Sequence, residues 1–277
     1  MTLVEQVNYI HTFSQIEQNR LIQQGQFTES YIHKTLDLSG STSLLEIGCG
    51  VGAQISIMLQ HYPHLKVTGL DNSASQLERA HIFLKPLIDS SKVILQQGSA
   101  YHLPFDDGSF DTVCIFFVLE HLEKPSVVVQ EAFRVLRPGG VIYCTEVFNK
   151  GVFVFPECQG IEAYWKAFNQ QQADFGGDPN IGIKLACLFS KAGFINIHLL
   201  DVSPLLDGRM NELEKRHEFL DYMKATFLSA SSTLRSTGKV TDILEEQMIQ
   251  DFDRLSKDPS SIFLYPVKQL SAKKLGI

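Results

Sequence analysis

The chain has 277 residues, 44% hydrophobic and 20% charged, a composition that can bury a sizeable core and excludes a disordered or fibrous protein. With 24 Lys+Arg against 31 Asp+Glu, the formal charge of -7 gives no electrostatic reason to expect a nucleic-acid partner. The longest apolar run, residues 113–119, is far short of the ~20 residues that span a bilayer, and Glu5 stands where a leader would be basic, so a soluble cytoplasmic protein with no membrane partner is expected.

The amino-terminal stretch reads as helical, with Val7, Ile10, Ile16 and Leu21 near helical spacing, a break at Gly25, and Thr28 capping a second helix through Leu36. Short β-rich runs then alternate with helices: strands over 44–47, 66–70, 93–97, 111–117 and 141–147, and helices over 52–62, 73–88 and 126–137. That alternation means βαβ units. The unbroken apolar strand at 113–119 fits a parallel sheet covered on both faces, so the first two-thirds reads as a doubly wound α/β sheet.

Beyond residue 150 the rhythm changes to an aromatic-rich segment, 151–175, followed by a Gly176-Gly177-Asp178-Pro179 turn capping a helix to Ala192 that Gly193 ends. A strand over 194–200 precedes helical stretches at 210–228 and 240–255, and a strand-like run at 262–270 closes the pattern. The five cysteines, Cys49, Cys114, Cys144, Cys158 and Cys187, form no C-x-x-C pair and read as reduced core thiols, with no metal site among them.

The sharpest chemical signal is the strand-to-helix turn Glu46-Ile47-Gly48-Cys49-Gly50-Val51-Gly52, where glycines let a ligand approach backbone N–H groups. Glu46 ends the first strand, and Asp71 ends the second, 19 positions after Gly52, where a carboxylate can take both hydroxyls of a ribose. Glycines two apart, with an acid before the first, depart from the pyrophosphate fingerprint and suit a ligand with a cationic amino-acid end, as in S-adenosylmethionine. A nicotinamide oxidoreductase remains a less favoured alternative.

Five motifs, E-I-G-C-G-V-G, L-D-N-S, Q-G-S-A-Y-H-L-P-F-D-D-G-S-F-D, V-L-E-H-L and L-R-P-G-G, together resemble the class I S-adenosylmethionine-dependent methyltransferases, in the branch with the ubiquinone and menaquinone enzymes. They cover about residues 40–150. The resemblance implies a Rossmann-like, seven-stranded, mostly parallel sheet, with helical additions at the N-terminus and between the last two strands. It implies one domain over 1–277: N-terminal helices 1–40, cofactor core 41–150, substrate-side insertions 151–180 and 203–260, and a last strand and tail 261–277. It places the methionine end near Glu46 and the Gly48-Cys49-Gly50-Val51-Gly52 turn, the ribose on Asp71 with Asn72 beside it, and the adenine on Ser99 and Ala100. Phe117 would line the reactive side. Ser99 departs from the family's usual Asp, which weakens one adenine contact by roughly 1 kcal/mol.

Methyl transfer needs a nucleophile aligned in a dry site, with proton removal where the acceptor is protonated. Strand ends face the ligand crevice, which nominates Glu146, Glu120 and His121 as proton acceptors, each with capping or packing as the plainer role. Ile115, Phe116 and Phe117 offer no oxygen ligands, so a magnesium site is not expected, and no N-P-P-Y-type loop of base methylases is present. Tyr164, Trp165 and Phe168 are candidates to line an acceptor pocket, although their helical spacing equally fits core. The expectation is a metal-independent enzyme methylating N, O or C of a small molecule, releasing S-adenosylhomocysteine; the alternative is a non-catalytic cofactor-binding sensor or scaffold. Met210, Leu213, Leu220 and Phe227 are also candidates for a homodimer contact.

Overall fold

The computed structural model describes residues 9–210 and 212–276; Val7 of the expected first helix lies outside them. Residues 9–14 are turns and extended chain rather than helix, with Thr12 at φ 65°. Helix α1 (Gln15–Ile32) then begins at Ser14, whose hydroxyl accepts from the Glu17 N–H. Gly25 does not break it. A Cβ there would come within 3.0 Å of Ala53 Cβ and 3.3 Å of Ile57 Cδ1, so the missing side chain lets α1 lie close against α2 (Ala53–His61). Nor does Thr28 cap a second helix, because its hydroxyl donates back to the Gln24 carbonyl at 2.7 Å within the same one.

The expected alternation follows, with β1 (Ser43–Ile47), α2, β2 (Lys66–Asp71), α3 (Ala74–Phe83), α4 (Lys85–Asp89) and β3 (Val93–Gln97). The single helix expected over 73–88 is two pieces, since Pro86 cannot donate to the preceding turn and starts α4 anew. Then come β4 (Phe110–Phe116), α5 (Pro125–Val135) and β5 (Leu136–Val147). The remaining elements are β6 (Phe153–Phe155), α6 (Gln159–Asp174), α7 (Leu185–Lys191), β7 (Ile195–Asp201), β8 (Leu205–Leu206), α8 (Leu213–Leu228), α9 (Ser231–Ser236), α10 (Asp242–Lys257), β9 (Ile262–Leu264) and β10 (Val267–Lys273).

The main sheet has seven strands in the order β3-β2-β1-β4-β5-β10-β7, parallel except for β10, which runs antiparallel to β5 and β7. All seven residues of β4 are buried, as strands covered on both faces must be. The strand expected over 262–270 divides at Tyr265-Pro266: β9 joins a small sheet β6-β9-β8, and β10 enters the main one. Strand order reverses between β1 and β4, which opens a crevice at the carboxyl ends of the strands. Leu220 and Phe227, expected on a dimer face, are buried in the core, while Leu213 is exposed, so those residues share no free face. All five cysteines are free thiols, four of them buried and Cys187 exposed. Among the described residues, no helix is long and apolar enough to cross a membrane.

Candidate active site

The crevice opens into a cavity lined by the ends of β1, β2 and β4 and by α1 and α6. On one side the β1–α2 turn is built by backbone hydrogen bonds to β2: the Gly48 and Cys49 N–H groups donate to the Leu70 carbonyl at 2.7 and 3.0 Å. The Gly50 N–H donates to Asp71 Oδ2 at 2.8 Å, while Asp71 Oδ1 accepts from the Ser73 N–H at 2.9 Å. Asp71 thus holds the turn and still presents unused lone pairs to the cavity it lines. Burial pushes its carboxyl above the ordinary range, opposed by N–H groups of Ser73, Gly50 and Asn72.

Glu46 is buried in the wall, and its Oε2 has no hydrogen-bond partner. Burial, and then the Asp71 charge, push its carboxyl well above the ordinary range. An unpartnered buried acceptor costs about 1–3 kcal/mol, which a ligand donor would recover. Gly50 has φ +51° and the nearest side-chain atom to an added Cβ is Leu21 Cδ1 at 3.9 Å, so the space beside it is free. Asn72, Ser99 and Ala100 continue the same wall, with the Ser99 hydroxyl accepting from the Tyr101 N–H at 3.2 Å. Phe117 closes it, in a left-handed conformation (φ 57°) at the end of β4.

Three expected site residues lie elsewhere. Gly52 is absent from the lining and faces Leu84, whose Cδ1 an added Cβ would meet at 2.4 Å. Glu146 is fully buried in β5 and is spent on backbone: Oε1 accepts from Val118 and Leu119 N–H at 3.0 and 2.7 Å, and Oε2 from Glu120 N–H at 3.3 Å. With both oxygens occupied away from the cavity it cannot serve as a base. Tyr164 is also core, its hydroxyl between the Phe227 carbonyl (3.1 Å) and Ser231 Oγ (2.8 Å).

Trp165 and Phe168 do line the cavity, stacked at 4.7 Å, and the Trp165 indole N–H donates to the Asn149 carbonyl. His121 lines it too, but its Nδ1 faces Gln172 Nε2 at 3.3 Å and its Nε2 lies 3.7 Å from Glu120 Oε1. Burial lowers its pKa, an effect Glu120 opposes. Sequence reasoning missed Tyr9, His11, Phe13 and Arg20, which also line the cavity. Their signal was a ring at every second position, 9, 11 and 13, read instead through the helical spacing of the apolar residues between them. Arg20 pairs with Glu17 at 2.6 Å, both buried. Among the described residues no cluster of three or more His, Cys, Asp or Glu side chains is placed to hold a metal ion.

Residues 45–144 match the model of a family described as a methyltransferase domain. The demethylmenaquinone methyltransferase of Staphylococcus aureus (strain JH9) is 30% identical over 183 residues, which cover 61% of this chain and 74% of that enzyme. The chain belongs to the class I S-adenosylmethionine-dependent methyltransferases. The corresponding methyltransferase of Lactococcus lactis subsp. lactis (strain IL1403) is 37% identical over 131 residues, where the match spans 47% of this chain and half of that enzyme. The fold matches the Haemonchus contortus phosphoethanolamine N-methyltransferase 2 in complex with phosphomonomethylethanolamine and S-adenosylhomocysteine, at TM-score 0.57 and 18% identity, over 95% of this chain and 58% of that one. The cofactor of the methyltransferase is S-adenosylmethionine, and the wall described above fits it: an orphaned buried acceptor at Glu46, free space beside Gly50, and open lone pairs on Asp71.

Proposed function

We propose that this methyltransferase acts on a neutral, planar, hydroxyl-bearing ring compound, bound across the cavity from the cofactor wall. The observation that carries this reading is the aromatic lining beyond the cofactor wall: Phe13, Phe168 and Tyr265, with Trp165 held between Phe168 (4.7 Å) and Phe227 (4.5 Å), and His11 and His121, imidazoles whose pKa burial lowers. Arg20, the cation of the lining, is already paired with Glu17 at 2.6 Å, and Glu120 Oε2 accepts only from the neutral Gln172 amide at 2.8 Å, so an anionic acceptor would find no free counter-charge among the described residues. The relatives' name, demethylmenaquinone methyltransferase, points to a neutral planar ring whose reduced form carries two hydroxyls.

In this reading Glu46, Gly48, Cys49 and Gly50 hold the amino-acid end of the cofactor, Asp71 and Asn72 the ribose, and Ser99 and Ala100 the adenine, with Phe117 beside the reactive centre. When bound, S-adenosylmethionine supplies a methyl carbon activated by a cationic sulfur. The chain then has to pack the acceptor ring against Phe13, Phe168 and the edge of Trp165, exclude water, and align the attacking atom. Residues 41–150 would serve the cofactor, and 1–40, 151–180 and 203–260 the acceptor, with the last strand, Val267–Lys273, returning to the sheet. The test is turnover with S-adenosylmethionine against 1,4-naphthalenediol, catechol and acyclic amines, read by mass spectrometry. Methylation of a ring diol is expected; methylation of acyclic amines alone would overturn the reading.

A further inference from the structure

We infer that His11 is a catalytic residue of this methyltransferase, the base that takes the proton of the acceptor's hydroxyl through its Nε2. The inference rests on the acceptor class proposed above, but its evidence is a hydrogen-bond chain. His11 Nδ1 lies 2.5 Å from Ser229 Oγ, and Ser229 Oγ lies 2.6 Å from the Thr226 carbonyl oxygen. Contacts this short each need a hydrogen between the heavy atoms. Thr226 O has none to give, so the single Ser229 hydroxyl hydrogen goes there, and the hydrogen between His11 and Ser229 comes from the imidazole. The proton of the neutral ring therefore sits on Nδ1, and Nε2 carries the free lone pair.

The surroundings keep it free. Among the described residues Nε2 has no hydrogen-bond partner, while the ring lines the cavity, with its centroid 5.4 Å from Phe168 and 5.8 Å from His121. Burial, then the Arg20 charge and His121, hold the imidazole well below its ordinary pKa, so it is neutral at pH 7. The groups that face it are Tyr9 on its own segment, Arg20 with its partner Glu17 on α1, and His121 with Glu120 after β4. His121 is less suited, because the Gln172 amide donates towards its Nδ1 and its Nε2 is turned towards Glu120.

The step balances. The acceptor's nucleophilic atom forms a bond to the methyl carbon, the electron pair of the broken carbon–sulfur bond stays on sulfur, and the hydroxyl proton moves to His11 Nε2. The resulting imidazolium is opposed by Arg20, which favours passing the proton on to solvent. Ser229 is a positioning residue in this scheme, fixing the tautomer as the orienting partner of a catalytic histidine does.

The test uses the full chain with ¹⁵N-histidine and long-range proton–nitrogen NMR. His11 is expected as the neutral Nδ1–H tautomer at pH 7, and Ser229→Ala is expected to move part of the proton to Nε2. With 1,4-naphthalenediol as acceptor, His11→Gln should lower kcat about a hundredfold, the lower range for a lost general base. Its S-adenosylhomocysteine affinity should stay within about threefold, since His11 does not hold the cofactor wall. Ser229→Ala should lower kcat by roughly tenfold with a shifted pH profile. An Nε2–H tautomer, an imidazolium at pH 7, or His11→Gln turning over within threefold of wild type would each overturn the inference. If wild type binds S-adenosylhomocysteine but leaves every ring diol unmethylated, the acceptor class has failed and the NMR tautomer alone decides whether His11 is set as a base.

Discussion

The glycine turn allows a test that separates cofactor contact from folding, because Gly50 and Gly52 are both left-handed, at φ +51° and +80°, yet face different surroundings. Replacing either by Ala imposes the left-handed penalty, roughly 1–2 kcal/mol. At Gly50 nothing is added to that, since the nearest atom to the new methyl is Leu21 Cδ1 at 3.9 Å. At Gly52 the methyl would meet Leu84 Cδ1 at 2.4 Å and Cγ at 3.0 Å, which adds an overpacking cost of ~1–3 kcal/mol. For a chain of this size about 2 °C of Tm corresponds to 1 kcal/mol, so Gly50→Ala should lower Tm by roughly 2–4 °C and Gly52→Ala by roughly 4–10 °C.

Binding should rank the two the other way. Gly50 lines the cavity and Gly52 does not, so a methyl at 50 occupies space the cofactor needs and displaces it from one or two backbone donors. At ~1.5 kcal/mol each, that is a loss of about 10- to 100-fold in S-adenosylhomocysteine affinity, whereas Gly52→Ala, while folded, should bind within about threefold of wild type. Calorimetric titration and thermal melts of both variants read the crossed pattern. Wild-type affinity in Gly50→Ala, or equal losses in the two, would show that the cofactor does not lie against this turn.

Glu146→Gln leaves at least one of three converging N–H groups without an acceptor, so it should lose ~2–4 kcal/mol and roughly 4–8 °C in Tm; an unchanged Tm with abolished turnover would restore it as a base. Trp165 is the single tryptophan and lines the cavity, so a ring acceptor should quench its fluorescence saturably, and Trp165→Ala should raise acceptor KM more than it lowers kcat; quenching by cofactor alone would misplace the acceptor. The Glu46 carboxyl is raised above its unfolded value by burial and then by Asp71, so the folded chain holds a proton that the unfolded chain has released. Stability of the cofactor-free protein should therefore fall as pH rises from about 4.5 towards the raised value, and Glu46→Gln should flatten that slope in denaturant titrations at several pH values. Over the same window affinity for S-adenosylmethionine should rise, because its cationic end favours the ionised carboxylate; a flat profile in the wild type would place that end elsewhere.

How much of this was legible follows from how far apart the cooperating residues lie. The sheet and the cofactor wall could be read because their determinants are local: an apolar strand, a glycine turn and an acid at the next strand end sit within residues 43–71. The choice between base and packing at Glu146 was not legible, because a strand-end carboxylate looks the same whether it faces a ligand or backbone. What decides is the turn at Phe117, after which three successive N–H groups close on it. Tyr164 and Trp165 are neighbours on α6, and only the packing of α8 and α9 sends the Tyr164 hydroxyl to Phe227 and Ser231 while Trp165 meets the cavity.

His11 was the least legible, since its meaning comes from Ser229, 218 positions away, and from an amino-terminal segment that leaves the helical pattern at Thr12. The same contrast describes how the enzyme is built. The cofactor half is one continuous stretch whose geometry the backbone fixes, whereas the acceptor half gathers residues 9–13, 120–121, 165–168, 226–229 and 265 from separate elements. On the proposed reading, a substitution in that second group should alter which ring is accepted and how its proton leaves, without reaching the Asp71–Gly50 bond that shapes the turn.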